Sequence, residues 1–190
     1  MSVLRQSWAA LRLMLLFTVV LGLLYPLAGV AVAQVMGNKA DGSLIEVDGT
    51  VVGSSLIGQQ FDGAKWFVPR PSAAGDGYDA MASAGSNLGP NSADLVAEIE
   101  SRKAEVAERE GVSPDQVPAD AVTASASGLD PDISPEYAQL QVPRVAQARG
   151  LSQGTVQQLV DEATTPAGLG FLGEPGVNVL KLNLSLEQAQ

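Results

Sequence analysis

Few residues in this 190-residue sequence could do chemistry. It contains no histidine and no cysteine, so the commonest general base, thiolate nucleophiles, disulfides and thiolate or imidazole metal sites are all absent. A Ser-His-Asp triad is therefore excluded. A Ser–Lys dyad could be drawn only on Lys65 or Lys103, and no serine stands at S-x-x-K spacing before either. No G-x-x-x-x-G-K-[ST] phosphate loop occurs. Asp130-Pro-Asp-Ile-Ser-Pro-Glu136 begins like a calcium loop, but Pro135 replaces the turn glycine and Gln141 the closing glutamate. The better reading is an acidic loop entering a helix, with Asp132 and Glu136 at its positive end.

Binding chemistry is better represented. Gly85–Asn91, containing Ser86 and Asn87, and Thr123–Asp130, containing Ser125, Ser127, Gly128 and Asp130, are small-residue polar stretches. Such stretches expose backbone donors and admit close approach, which suits a protein interface or an anion nest; the plainer reading is that they are simply loops. Arg70 and Arg144 each neighbour a proline and could anchor loops through fork-shaped hydrogen bonds. Arg149 suits a helix C-terminus. Ser86, Asn87, Ser125, Ser127, Gly128, Asp130, Arg144 and Arg70 are the candidate partner contacts. A bulky side chain at Gly128 is expected to release a partner without unfolding the domain.

These residues need elements to hold them. Leu44–Val52 predicts a hairpin turning at Asp48-Gly49, and Leu56-Ile57 and Trp66–Val68 predict further short strands. Pro69–Asn91 is too rich in Gly, Ser, Ala, Asn and Pro for a helix and predicts long shaped loops. A helix is expected from about Ser92 to Glu110, stopped by Gly111, with Leu95, Ile99 and Val106 on its apolar stripe. Glu98–Arg102 and Glu105–Arg109 are favourable pairs along it. A second helix is expected from Ser134 to Gly150, kinked or broken at Pro143. A third starts at Ser152, with Leu151 stapled to Val156. Leu180, Leu182, Leu184 and Leu186 alternate with polar residues and predict a final strand. The fold class is α+β.

The charge is unevenly placed. Arg5 and Arg12 account for two of the 11 basic residues, which leaves nine against 21 acidic residues from Asp41 onward, a net −12. Such a field disfavours nucleic acid and anionic lipid. From Leu13 to Ala33 there is no charge, and as a helix this stretch spans roughly 30 Å, the thickness of a bilayer core. Trp8 and Tyr25 suit the headgroup region, and Pro26 predicts a local kink. The basic side stays cytoplasmic, which places the rest of the chain outside. A cleavable signal peptide ending at Ala31-Val32-Ala33 fits the same pattern, and both readings export residues 36–190.

Six blocks, in order along nearly the whole chain, resemble the C subunit of the bacterial high-affinity potassium-transporting ATPase, the Kdp complex. They are SLIGQQF (Ser55–Phe61), WFVPRPSAA (Trp66–Ala74), SNLGPNS (Ser86–Ser92), VTASASGLDPDIS (Val122–Ser134), QVPRVAQARG (Gln141–Gly150) and VNVLKLNLSL (Val177–Leu186). Lys103–Pro118 departs from that pattern.

The resemblance implies an uncleaved anchor: residues 1–12 cytoplasmic, 13–35 in the bilayer, and 36–190 a single extracytoplasmic α+β domain. It implies partners, namely a channel-like potassium-selecting subunit, an ATP-hydrolysing P-type subunit and a small single-span peptide, with ATP and potassium belonging to the complex. It implies an accessory role in a bacterial inner membrane, described for the family as a catalytic chaperone that raises the pump's ATP affinity with help from a glutamine. Gln141 is the nearest match to that nucleotide contact. The charge bias puts Gln141 outside and the pump's ATP site inside, about 30 Å of hydrocarbon apart, so coupling through the membrane subunits is favoured over contact. Reading the residues alone, a tethered scaffold for other partners is the alternative.

Overall fold

The computed structural model describes residues 3–189. Met1, Ser2 and Gln190, at the ends of the predicted 1–12 and 36–190 segments, lie outside the described residues. The chain divides into two compact units near Leu44.

The first unit is a long apolar helix. Helix α1 (Val3–Val19) passes through a π turn (Val20–Leu24) into α2 (Tyr25–Met36) and ends in a 3-10 turn at Gly37–Lys39. This 37-residue helix is long and apolar enough to cross a membrane. At about 1.5 Å per residue it is roughly 55 Å long, so it exceeds the hydrocarbon layer. The widened turn explains how the helix accommodates Pro26. Proline has no N–H to donate, and its ring crowds the carbonyl four residues earlier. In the π turn the Tyr25 N–H reaches back to the Val20 carbonyl instead.

The second unit is α+β, as the sequence predicts. Strands β1 (Leu44–Val47) and β2 (Thr50–Ser54) form the expected hairpin, and Asp48 and Gly49 both take positive φ, as a tight two-residue turn requires. Helix α3 spans Ala93–Glu110 and stops at left-handed Gly111; Ile99 and Val106 face the core. Strand β3 (Asp132–Ile133) precedes α4 (Pro135–Arg149), α5 (Gln153–Ala163) and β4 (Thr164–Thr165). Strand β5 (Gly176–Asn178) then leads into α6 (Val179–Gln188). The small sheet is antiparallel in the order β3-β5-β4, with Ile133 and Thr164 both opposite Val177. Around it α4, α5 and α6 close a core built on Phe67, Tyr137, Val145, Val156, Val177 and Leu182.

Local chemistry accounts for the helix ends. The Ser134 and Ser152 hydroxyls accept from the N–H groups of Tyr137 and Thr155 at 3.0 Å each. Ser92 stands at the start of α3 without such a bond. The Glu98–Arg102 pair forms at 2.8 Å. The predicted Glu105–Arg109 pair does not, because Arg109 turns to Glu110 and the Tyr137 hydroxyl, while Glu105 accepts from Ser101.

Three sequence expectations are corrected. Helix α4 is not broken at Pro143, where the ring and Gln139, whose carbonyl loses its donor, both lie on the exposed face. Leu56-Ile57 and Trp66–Val68 are not strands: the N–H groups of Ile57 and Trp66 turn back onto the carbonyls of Ser54 and Gly63, and the backbones of Phe67 and Val68 are paired by distant side chains. Leu180–Leu186 is not a strand either. Val179, Leu182, Asn183 and Leu186 are all buried, a spacing of three and four that only a helix brings to one face. Asn183 interrupts that stripe in sequence, and its buried partner explains why.

Candidate functional site

Two regions of the domain gather the polar residues singled out above. The first grips the irregular segment Ala64–Val68. Gln141 on α4 is fully buried; its Oε1 accepts from the Val68 N–H at 2.8 Å and its Nε2 donates to the Val68 carbonyl at 3.1 Å. Asn183 on α6, also fully buried, does the same for Phe67, at 2.9 Å in both directions. Each carboxamide replaces a neighbouring strand, offering one acceptor and one donor to a backbone that would otherwise bury unpaired groups.

Two arginines extend the grip. Arg144 donates to the carbonyls of Ala64 at 2.7 Å and Trp66 at 3.0 Å, to Gln141 Oε1 at 2.8 Å and to Glu110 at 2.8 Å. The Glu110 side chain is wholly buried between Arg144 and Arg109. Arg149 donates to the Lys65 carbonyl at 2.7 Å and to the Leu186 carbonyl at 3.2 Å, so it serves the C-terminal end of α6 rather than of its own helix. Its guanidinium also lies 4.7 Å from the Trp66 ring centroid. Tyr137, which accepts from Arg109, has its hydroxyl held above its ordinary pKa by burial, against the pull of that cation.

The second region is a stack of loops. Ser72 donates to the Gly128 carbonyl at 2.7 Å and accepts from the N–H groups of Ala74 and Tyr78. Ser83 donates to the Ser127 carbonyl at 2.8 Å, and the Ser125 N–H donates to the Pro71 carbonyl at 3.0 Å. Arg70 pairs with Asp130 at 2.8 Å, and Asp130 also accepts from the Asp132 N–H. Tyr78 donates its hydroxyl to the Arg70 carbonyl, and burial keeps that hydroxyl protonated far above its ordinary range. Asp132 accepts from Asn178, yet burial together with nearby Asp130 raises its carboxyl pKa.

The candidate contacts therefore divide. Ser86, Asn87 and Ser127 are exposed. Ser125 and Gly128 are buried, while Arg70, Asp130 and Arg144 are committed to partners inside the domain. A Cβ at Gly128 would lie 2.6 Å from the Ala84 carbonyl oxygen and 2.7 Å from Ala74 atoms, in a backbone with φ +68. A bulky residue there disrupts the stack itself, contrary to the expectation that the fold would be spared. Sequence reasoning missed Asn183. The signal was present as an amide lying on a helical apolar stripe, but the Leu alternation masked it. Among the described residues no group of three or more acidic side chains could hold a metal ion.

The arrangement is one of backbone grips and loop braces. A family model described as the c chain of the K+-transporting ATPase matches residues 7–188. A relative from Kineococcus radiotolerans, named potassium-transporting ATPase KdpC subunit, is 57% identical over 99% of this chain and 96% of its own length. Relatives of the same name from Mycobacterium tuberculosis H37Rv and Caulobacter vibrioides are 53% and 55% identical, over 97% and 94% of this chain and 98% and 90% of their own. With the apolar helix and the folded domain both inside these matches, the chain belongs to the KdpC family of potassium-transporting ATPase subunits.

Proposed function

We propose that this chain is an accessory, non-catalytic subunit of an ATP-driven high-affinity potassium uptake complex. Helices α1 and α2 anchor it in the bacterial inner membrane, with the N-terminus cytoplasmic and residues 36–190 outside. It assembles with a channel-like potassium-selecting subunit, an ATP-hydrolysing P-type subunit and a small single-span peptide, and supports their assembly and coupling. The observation that carries this reading is the family match through both the apolar helix and the folded domain.

The clamp supports a positioning role for Gln141 in place of nucleotide contact. Its carbonyl oxygen serves both Val68 and Arg144, its amide nitrogen serves Val68, and the side chain is shut off from solvent. Any influence on the pump's ATP affinity then passes through the shape of Ala64–Val68 and the subunits it braces, since linkage needs no contact. The partner surface includes the exposed Ser86, Asn87 and Ser127.

The test is affinity purification of the full-length chain from detergent-solubilised membranes, with calorimetry on the purified subunit. Stoichiometric recovery of a potassium channel and a P-type pump is expected, with no saturable ATP binding by this chain alone. Recovery with unrelated partners instead indicates a tethered scaffold. Micromolar, stoichiometric ATP binding by the isolated subunit overturns the positioning role of Gln141.

A further inference from the structure

Strands β4 and β5 are joined by a loop that turns its apolar side chains outward. Leu169, Phe171 and Leu172 are 84%, 74% and 56% exposed. The loop's tip is nevertheless tied by its own backbone. Gly168 and Leu172 exchange N–H···O bonds of 2.8 Å in both directions, and the Phe171 N–H closes a turn onto the Gly168 carbonyl at 3.2 Å. Leu169 and Gly170, the two central residues of that turn, both have positive φ, at 52° and 81°. That geometry favours Asn, Asp or Gly, and a leucine in it is strained. The sequence thus places a large apolar side chain where the backbone disfavours it and where it finds no core to enter. Local conflict of this kind is expected where a residue serves something other than the fold.

The occupant can be argued from charge. No charged residue occurs between Glu162 and Glu174, whereas the chain beyond Arg12 carries the net −12 derived above. An acidic body with an uncharged apolar tip is repelled by an anionic lipid surface but fits an uncharged apolar socket on a protein. The tip is tied at its base by the Gly168–Leu172 pair, and the loop enters β5, the central strand of the sheet, which leads directly into α6. Exposed apolar side chains on a pre-set turn bind with little ordering cost, as anchor residues do.

We infer that Leu169, Phe171 and Leu172 form a docking knob that inserts into an uncharged apolar socket on the external surface of a membrane-embedded partner subunit. The inference rests on the assembly proposed above. Two experiments test it with the full-length chain. First, Leu169→Asn combined with Phe171→Ser gives the turn a residue it prefers while removing the apolar surface. The melting temperature of the subunit in detergent should hold or rise, and partner recovery should fall at least tenfold. Unchanged recovery, or a clear loss of subunit stability, overturns the knob.

Second, because the protein lacks cysteine, Phe171→Cys gives a unique attachment point for an environment-sensitive fluorophore. Its emission should shift to the blue only in the assembled complex. A shift when the subunit alone is reconstituted into phosphatidylcholine vesicles assigns the loop to lipid. A concentration-dependent shift in detergent assigns it to a second copy, and no shift anywhere leaves it in solvent; each of the three overturns the proposal. If the unaltered chain fails to recover any channel or pump, the assembly reading itself fails. If it recovers them with the label still in water, only the knob fails.

Discussion

Segment 55–91 and segment 135–188 solve the same problem in opposite ways. The later segment pairs most of its backbone within helices and a small sheet, and its buried residues recur at helical spacing. The earlier one has no helix or strand between Ser54 and Ala93, although Phe67 and Ala74 within it are completely buried. A buried backbone must still find hydrogen-bond partners, so it takes them from distant side chains: Gln141 and Asn183 at Phe67-Val68, and Arg144 and Arg149 at Ala64–Trp66. In a helix the loss of one side chain leaves the backbone bonds in place. In the clamped segment the side chain is the backbone's partner, and its loss leaves groups buried and unpaired.

That contrast is most severely tested at Arg144. Arg144→Met keeps length but leaves the buried Glu110 carboxylate with Arg109 alone and strips the carbonyls of Ala64 and Trp66 of their donor, so a loss of about 4 kcal/mol is expected in equilibrium denaturation of the full-length chain. Asn183→Leu, which keeps the number of side-chain heavy atoms but not the amide, removes both partners of Phe67 and should cost about 3 kcal/mol. The same substitution would be nearly neutral or stabilising if Asn183 were merely a misplaced polar residue on an apolar stripe. In the periodic segment Ser152→Ala removes one cap bond and should cost only about 1 kcal/mol. A loss at Ser152 equal to that at Asn183 would erase the distinction between the regions.

The smallest effect is a pH dependence at Asp132. Its carboxyl pKa is raised in the fold by burial and by Asp130, so folding disfavours the charged form. The penalty is present above the folded pKa and vanishes below the unfolded value near 4. Asp132→Asn, which can still accept from Asn178, should therefore stabilise the chain slightly at pH 7, and the gain should fade as pH falls through the carboxylate range. A gain that grows on acidification would reverse the assigned sign.

The same division governs what could be read from sequence. Helices α3, α4 and α5 were legible because their caps, glycine stops and apolar spacing are local signals. The hairpin was legible from Asp48-Gly49. The clamp was not, because Gln141 and Asn183 meet Val68 and Phe67 across 73 and 116 residues, a separation no window of periodicity spans. Arg144 was legible as a loop anchor from its residue type and its proline neighbour, but the loop it holds was not. In the loop stack, small residues correctly signalled close approach. They could not say whether the approaching surface belonged to a partner or, as at Gly128, to the domain's own Ala74 and Ala84.

The widened turn at Val20–Leu24 has a consequence for the faces that α1 and α2 present to their surroundings. One extra residue in a helical turn rotates everything beyond it by about 100° relative to an uninterrupted count of 3.6. A stripe of contacts traced from Leu11 through Leu15 therefore cannot be continued past Leu24 by the same arithmetic. A substitution scan along the helix should show a periodic response in each half with a phase slip at the π turn. The two halves thus present their faces in different directions along one rod.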